Sequence, residues 1–226
     1  MKHFQLFISS CFILFSISLT AQEALYTEID AKYNFDPHPE DRWSYVFSSR
    51  YRSSFYDSGK FDYDTSFLEL NAAPTFSINS NHAVSLVLRY RIKKLFDNKR
   101  TDEKRLIQQY AHSYDLNKVK LKGRLRVEQR FRGDFNLRNR YRIGITFDLN
   151  KSQDKLKKWS LTTDTEFLWS ISSKKHPVFD QRFSLSLEKP ISNTFTFKLK
   201  PEYRYLDYTH QRESALRIYI ILKITV

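Results

Sequence analysis

The side chains with the most chemical potential in this chain form rows of charge at every second position. Arg124, Arg126, Glu128 and Arg130 make one row, and Arg138, Arg140 and Arg142 make the next. The same period continues through Asp164 and Glu166, Asp180 and Arg182, Glu188, and finally Glu202 and Arg204. Two-residue spacing gathers side chains on one face of a β-strand, whereas a helix would smear them around its cylinder. Acids and bases on one face of adjacent strands can pair across the ladder. The chemistry this offers is ionic: a face that neutralises itself, or one that attracts anions.

Other chemistries find little support. The six histidines, at 3, 38, 82, 112, 176 and 210, are scattered, and none has a His or Cys partner at ligand spacing. No metal site and no cofactor are expected. Four glycines in the whole chain do not cluster into a phosphate-cradling loop. Ala111-His112-Ser113-Tyr114 is the nearest approach to a nucleophile–base pair. Neighbouring residues in a strand face opposite sides, so His112 cannot activate Ser113 there. The chain is therefore expected not to be an enzyme, with no catalytic residues. A lipid-active enzyme using a serine from another strand is the remaining catalytic alternative.

The charged rows need strands to hold them, and their partners supply these. Val119, Leu121, Leu125, Val127 and Phe131 alternate with the row that runs from Lys118 to Arg132. Leu137, Tyr141, Ile143, Ile145 and Phe147 alternate with Arg138, Arg140 and Arg142. Comparable alternation spans Trp159 to Ile171, Phe179 to Glu188, Ile191 to Tyr205, Leu216 to Val226, and Val84 to Ile92. Segments around 43–53, 64–78 and 104–115 alternate more faintly. Asp57-Ser58-Gly59-Lys60, Asn79-Ser80-Asn81, Asp115-Leu116-Asn117, Asp97 to Asp102 and Arg132-Gly133-Asp134 supply the turns between hairpins.

Strands of this length exceed the five or six residues usual in soluble sheets and suit a bilayer crossing of about 9–11 residues plus rims. Nearly every strand carries one charged and one apolar face. A closed barrel accounts for both, with apolar residues toward lipid and the charged rows toward a lumen, and closure satisfies every backbone group. Aromatics make up 16% of the chain, including 19 Phe and 14 Tyr, as strands favour. Trp43, Tyr90, Trp159, Trp169, Tyr203 and Tyr208 fall near strand ends, where interfacial girdles form.

The start of the chain reads differently. A basic Lys2-His3 opening, the apolar run Phe4 to Leu19 and a small residue at Ala21 have the layout of a secretory signal peptide over residues 1–21. The only cysteine, Cys11, lies inside it. The expected architecture is an all-β, antiparallel up-and-down transmembrane barrel over residues 42–226. It has about ten strands, with twelve possible, an even count that places both ends on the periplasmic side. Residues 22–41 form an extra strand, a periplasmic tail or a lumen plug.

With these residues in view, the chain resembles the bacterial proteins grouped as domain-of-unknown-function family 2490. The resemblance rests on Glu103, Arg105, Gln108 and Gln109, on Arg124, Arg126, Glu128 and Arg130, and on Arg138, Arg140 and Arg142. It continues through Glu166-Phe167 and Phe179-Asp180-Gln181-Arg182. It implies an outer-membrane barrel of unassigned activity and supplies no catalytic residues.

The combined expectation is a non-enzymatic outer-membrane barrel of a Gram-negative cell, with a salt-bridged Arg/Glu lumen. A small anion-preferring pore is the alternative that its formal charge of +13 keeps open. Membrane lipid, lipopolysaccharide and the barrel-insertion machinery are the expected partners. The last residue is Val226, where such barrels usually carry an aromatic that this machinery reads. Nucleic acid is not an expected partner, because the basic residues are interleaved with lipid-type side chains and the chain is exported.

Overall fold

The computed structural model describes residues 22–37, 40–95, 102–117, 119–150, 156, 158–172, 175–210 and 212–226. The segment 1–21 expected to be a signal peptide, with Cys11, the residues His38 and Lys118, and most of the Asp97–Asp102 turn lie outside the described residues.

Eleven strands close into a barrel. They are β1 (Gln22–Phe35), β2 (Trp43–Asp57), β3 (Lys60–Ser77), β4 (His82–Lys93), β5 (Glu103–Leu116), β6 (Val119–Arg132), β7 (Asp134–Asp148), β8 (Ser160–Ser172), β9 (Lys175–Pro190), β10 (Phe195–Leu206) and β11 (Glu213–Thr225). Each strand pairs antiparallel with its neighbour in sequence, as hairpins joined by short connections do. Between β2 and β3 the turn residues Ser58 and Gly59 have φ of 50° and 88°, the left-handed pair that a two-residue hairpin with native twist requires.

The ten strands expected from residue 43 onward are β2 to β11. Of the three placements open to residues 22–41, the strand is realised: β1 lies between β2 and β11 and completes the wall. The count is therefore odd rather than even, and an odd up-and-down barrel must close with a parallel pair. β1 and β11 do run parallel, from Gln22 beside Ala215 to Lys32 beside Thr225. Residue 22 and residue 226 consequently lie at opposite rims, not on one side as the even count implied. On the inner side of this seam the Tyr26 and Tyr219 rings stack at 5.3 Å, and the Arg52 guanidinium sits 4.8 Å from the Tyr219 centroid.

The distribution of side chains is inside-out relative to a water-soluble barrel. Leu88, Phe131, Phe135, Trp169, Phe183 and Leu125 are exposed on the outer wall. The buried set is rich in carboxylates: Glu28, Glu69, Glu103, Glu128, Glu166 and Glu202. Among the described residues the one cluster of buried apolar residues inside is small, Ala24, Tyr26, Tyr219 and Ile221 at the seam. Among the described residues no helix is long and apolar enough to cross a membrane.

Candidate functional site

The lumen is where the charged rows meet. Strand alternation puts all fourteen residues singled out from the sequence on the inner face, and register decides their partners. Glu166 on β8 lies opposite Arg142 of β7 and Arg182 of β9. Four guanidiniums reach it: Arg140 at 2.7 Å, Arg142 at 3.1 Å, Arg124 at 3.6 Å and Arg182 at 3.7 Å. Arg140 also holds Glu128 at 2.8 Å, tying β6, β7 and β8 together. Glu128 takes a further contact from Arg105 at 3.4 Å.

The remaining members form satellites of this centre. Arg130 donates to Glu103 at 2.6 Å, and Asp164 accepts from Ser184 at 2.7 Å and faces Arg142 at 3.5 Å. Glu188 holds Lys198 at 2.8 Å and Lys223 at 2.6 Å, while Glu202 lies between Lys200 and Arg204, 2.6 Å from the Lys200 ammonium. Arg126 donates to neutral Gln109 at 2.6 Å, and Arg138 donates to Ser170 at 2.7 Å. Asp180 departs from the expected ladder, because its carboxylate accepts the backbone N–H of Asp207 at 3.0 Å and ties down the β10–β11 connection.

The sequence reading passed over half of the network. Glu28 and Asp30 of β1 pair with Arg52 and Arg50 of β2. Glu69 of β3 takes Arg89 at 3.2 Å and Arg91 at 2.5 Å, both from β4. Lys93 reaches Glu103 at 3.4 Å, and Glu103 and Arg105, noted above only for their resemblance, also bond each other at 2.7 Å. The signal was present, since Arg89, Arg91 and Lys93 keep the same two-residue period as Arg124 to Arg130.

Opposite charges do not alternate everywhere. Five cross-strand positions set arginine directly against arginine: Arg89 with Arg105, Arg105 with Arg130, Arg126 with Arg140, Arg124 with Arg142, and Arg182 with Arg204. Like charges facing across a ladder oppose folding. The carboxylates that offset them lie low against the wall; Glu103 and Glu128 are 0% exposed and Glu166 is 1% exposed. The guanidiniums stand above them and face an open cavity of about 450 Å³ lined by fourteen arginines, three lysines and only three carboxylates.

Two further cavities continue this one toward the rims. The cavity at the rim that carries residue 226, about 470 Å³, shares Arg124, Arg142 and Lys198 with the central cavity. The cavity at the rim that carries residue 22, about 350 Å³, shares Arg130 and Arg138 with it. Guanidiniums thus stand at both junctions along the lumen axis.

The sequence profile described as "Protein of unknown function (DUF2490)" matches residues 23–215. The chain belongs to this family. No curated protein and no solved structure matches the chain. Of the residues on which the family resemblance rests, Glu103, Arg105, Gln109, Arg124, Arg126, Glu128, Arg130, Arg138, Arg140, Arg142, Glu166, Asp180 and Arg182 all face the lumen, on strands whose register is given above.

The remaining chemistry in this DUF2490 chain lies outside the lumen or is split from it. His112 faces outward over Gly123 of β6, where a Cβ would fall inside its imidazole ring. It belongs to an outer-wall cluster in which His82 bonds Tyr110 at 2.5 Å and Tyr114 at 2.9 Å. Ser113 points the other way, its hydroxyl buried without a hydrogen-bond partner among the described residues. Among the described residues no group of three His, Cys, Asp or Glu is arranged to hold a metal ion.

Proposed function

We propose that this protein is a transmembrane barrel of the Gram-negative outer membrane, not an enzyme, and that its lumen passes small anions. Membrane placement is supported by the exposed apolar outer wall and by strands of 12 to 18 residues, ample for a tilted crossing of about 9–11. The signal-peptide layout of residues 1–21 supports export. The outer wall would meet phospholipid and lipopolysaccharide after delivery by the barrel-insertion machinery.

Anion passage is carried by one observation: arginine faces arginine at five positions on four strand pairs, around cavities that share lining residues in series from one rim to the other. A lumen built only to be rigid gains from alternating charge and loses from like-charge pairs. Rings of fixed cations in a narrow lumen lower the barrier for anions and raise it for cations. The ion pairs beneath them hold the guanidiniums extended, so the field is built in before an ion arrives.

Planar-bilayer recording of the purified full chain in a potassium chloride gradient tests this reading. Stepwise conductance with a reversal potential displaced toward that of chloride is expected. A silent bilayer, with insertion verified, returns the lumen to the sealed, salt-bridged reading. Cation-selective steps overturn the proposal outright.

A further inference from the structure

The central cavity is more specific than a general positive field requires. Arg124 and Arg126 on β6 stand opposite Arg142 and Arg140 on β7, forming a two-by-two block of guanidiniums. Arg182 joins them from β9 through its contact with Glu166. Within reach of these five cations are three carboxylates, Glu166, Glu128 and Asp164, and Glu128 is shared with Arg105. The local excess is at least two positive charges. Arg126 makes no ion pair among the described residues, and its Nε is spent on neutral Gln109. The Nε atoms of Arg140 and Arg182 are buried without hydrogen-bond partners among the described residues. Donors therefore exceed acceptors as clearly as positive charge exceeds negative.

The residue type selects the ligand class. A passage for halide needs only point charges, which lysine supplies, yet the cavity is lined by fourteen arginines and three lysines. Guanidinium forks match two oxygens of one oxyanion, and a planar fork cannot be replaced by an ammonium at such a site. An excess of two charges matches a dianion. Phosphate monoesters carry close to that charge near neutral pH and present three terminal oxygens. A cavity of about 450 Å³ has room for the phosphoryl group and a small organic remainder. Lipid phosphates at the outer belt are on the far side of the strand wall, so the source is a soluble one.

We infer that Arg124, Arg126, Arg140 and Arg142 form a binding site for the phosphoryl group of a small soluble phosphate or phosphomonoester, midway along the lumen. This rests on the reading that the lumen admits anions, and adds to it a saturable, fork-specific stop on the path.

Calorimetric titration of the refolded full chain in neutral detergent tests it, with inorganic phosphate and glycerol phosphate as separate ligands in a chloride buffer of physiological strength. Saturable binding of at least one ligand is expected, weakened at least about tenfold in Arg126→Gln. Arg126→Lys, which retains the charge and loses the fork, is expected to be weakened as well. Arg126 is chosen because its removal breaks no ion pair, and the heat-modifiable mobility of the barrel on gels reports folding of each variant. Tighter binding of glycerol phosphate assigns a phosphomonoester; equal binding assigns free phosphate. Absence of saturable binding, or equal binding by wild type and Arg126→Gln, overturns the site. Anion-selective conductance without phosphate binding removes the site and leaves the pore. Phosphate binding with a silent bilayer removes the pore and leaves the site.

Discussion

The guanidinium of Arg140 donates to Glu166 at 2.7 Å while its other terminal nitrogen donates to Glu128 at 2.8 Å. One side chain from β7 thus joins carboxylates from both neighbouring strands. Because Glu166 is also approached by Arg124, Arg142 and Arg182, it is the point at which the like-charge repulsion of three strands is offset.

Replacing Glu166 by Gln should therefore destabilise the barrel more than any other single charge removal in the lumen. Breaking a buried ion pair from one side costs about 3–5 kcal/mol, because the opposite charge is left unpaired. Here several charges are left. Urea unfolding of the refolded barrel, followed by tryptophan fluorescence, should place the midpoint well below that of wild type. Glu166→Gln with Arg140→Gln should recover part of the loss, since the two share one contact. Two additive losses would show that Glu166 and Arg140 act independently.

The Gly123–His112 contact on the outer wall gives a second prediction. A methyl group at 123 displaces the His112 ring from the face that it covers, and with it the ring contacts to Tyr110 and Tyr114. Gly123→Ala should cost about 1–3 kcal/mol, the range for overpacking. In the His112→Ala background the same change should cost almost nothing. Equal costs in both backgrounds would place the strain in the β6 backbone, away from the ring.

Leu88 lies on the outer wall near the middle of β4 and is 55% exposed. If that wall faces lipid, Leu88→Arg should lower the folding stability in bilayers by about 2–4 kcal/mol, the cost of arginine near the midplane. Leu116, also exposed but at the end of β5 near a turn, should accept arginine at a cost of about 0–1 kcal/mol. Folding titrations in thin-bilayer vesicles measure both. Equal tolerance at the two positions would argue against membrane placement of this wall.

How much of this was readable beforehand depended on how cleanly each strand alternates. From Val119 to Arg142 nearly every second residue is charged, and the lumen row could be read directly. In β2 and β3 the same face mixes Ser, Thr, Asn and Ala with Arg50, Arg52 and Glu69, and register shifts between Arg52 and Ser53 and between Ser54 and Tyr56 break the period. Those rows stayed faint although their ion pairs are as close as the others. Alternation also says nothing about which strands meet at closure. Asp180 shows a different limit, since its period matches the ladder while its partner is the backbone of a loop. The convergence of four arginines on Glu166 is three-dimensional and has no counterpart in spacing.

The parallel seam supplies the last prediction. Thr27 of β1 lies beside Ile220 of β11, and both side chains point outward. A Thr27→Cys, Ile220→Cys pair in a Cys11→Ser background has no other thiol with which to react. Adjacent strands bring paired Cα atoms within about 5–6 Å, inside the range that a disulfide spans. Mild oxidation of the folded barrel should therefore give an internal cross-link, seen as a reduction-sensitive shift on a denaturing gel. Ala31→Cys with Ile220→Cys should not cross-link, because Ala31 lies beside Ile224, four residues along the strand from Ile220 and well beyond disulfide reach. The seam's inner stack gives an independent measure. Tyr219→Phe keeps the ring against Tyr26 and loses only the Arg204 hydrogen bond of 2.9 Å, at about 1 kcal/mol. Tyr219→Ala removes the ring and should cost about 3–5 kcal/mol, as large-to-small changes of buried aromatics do. A cross-link that fails while Tyr219→Ala leaves stability unchanged would detach β1 from β11 and return residues 22–35 to a tail or a plug.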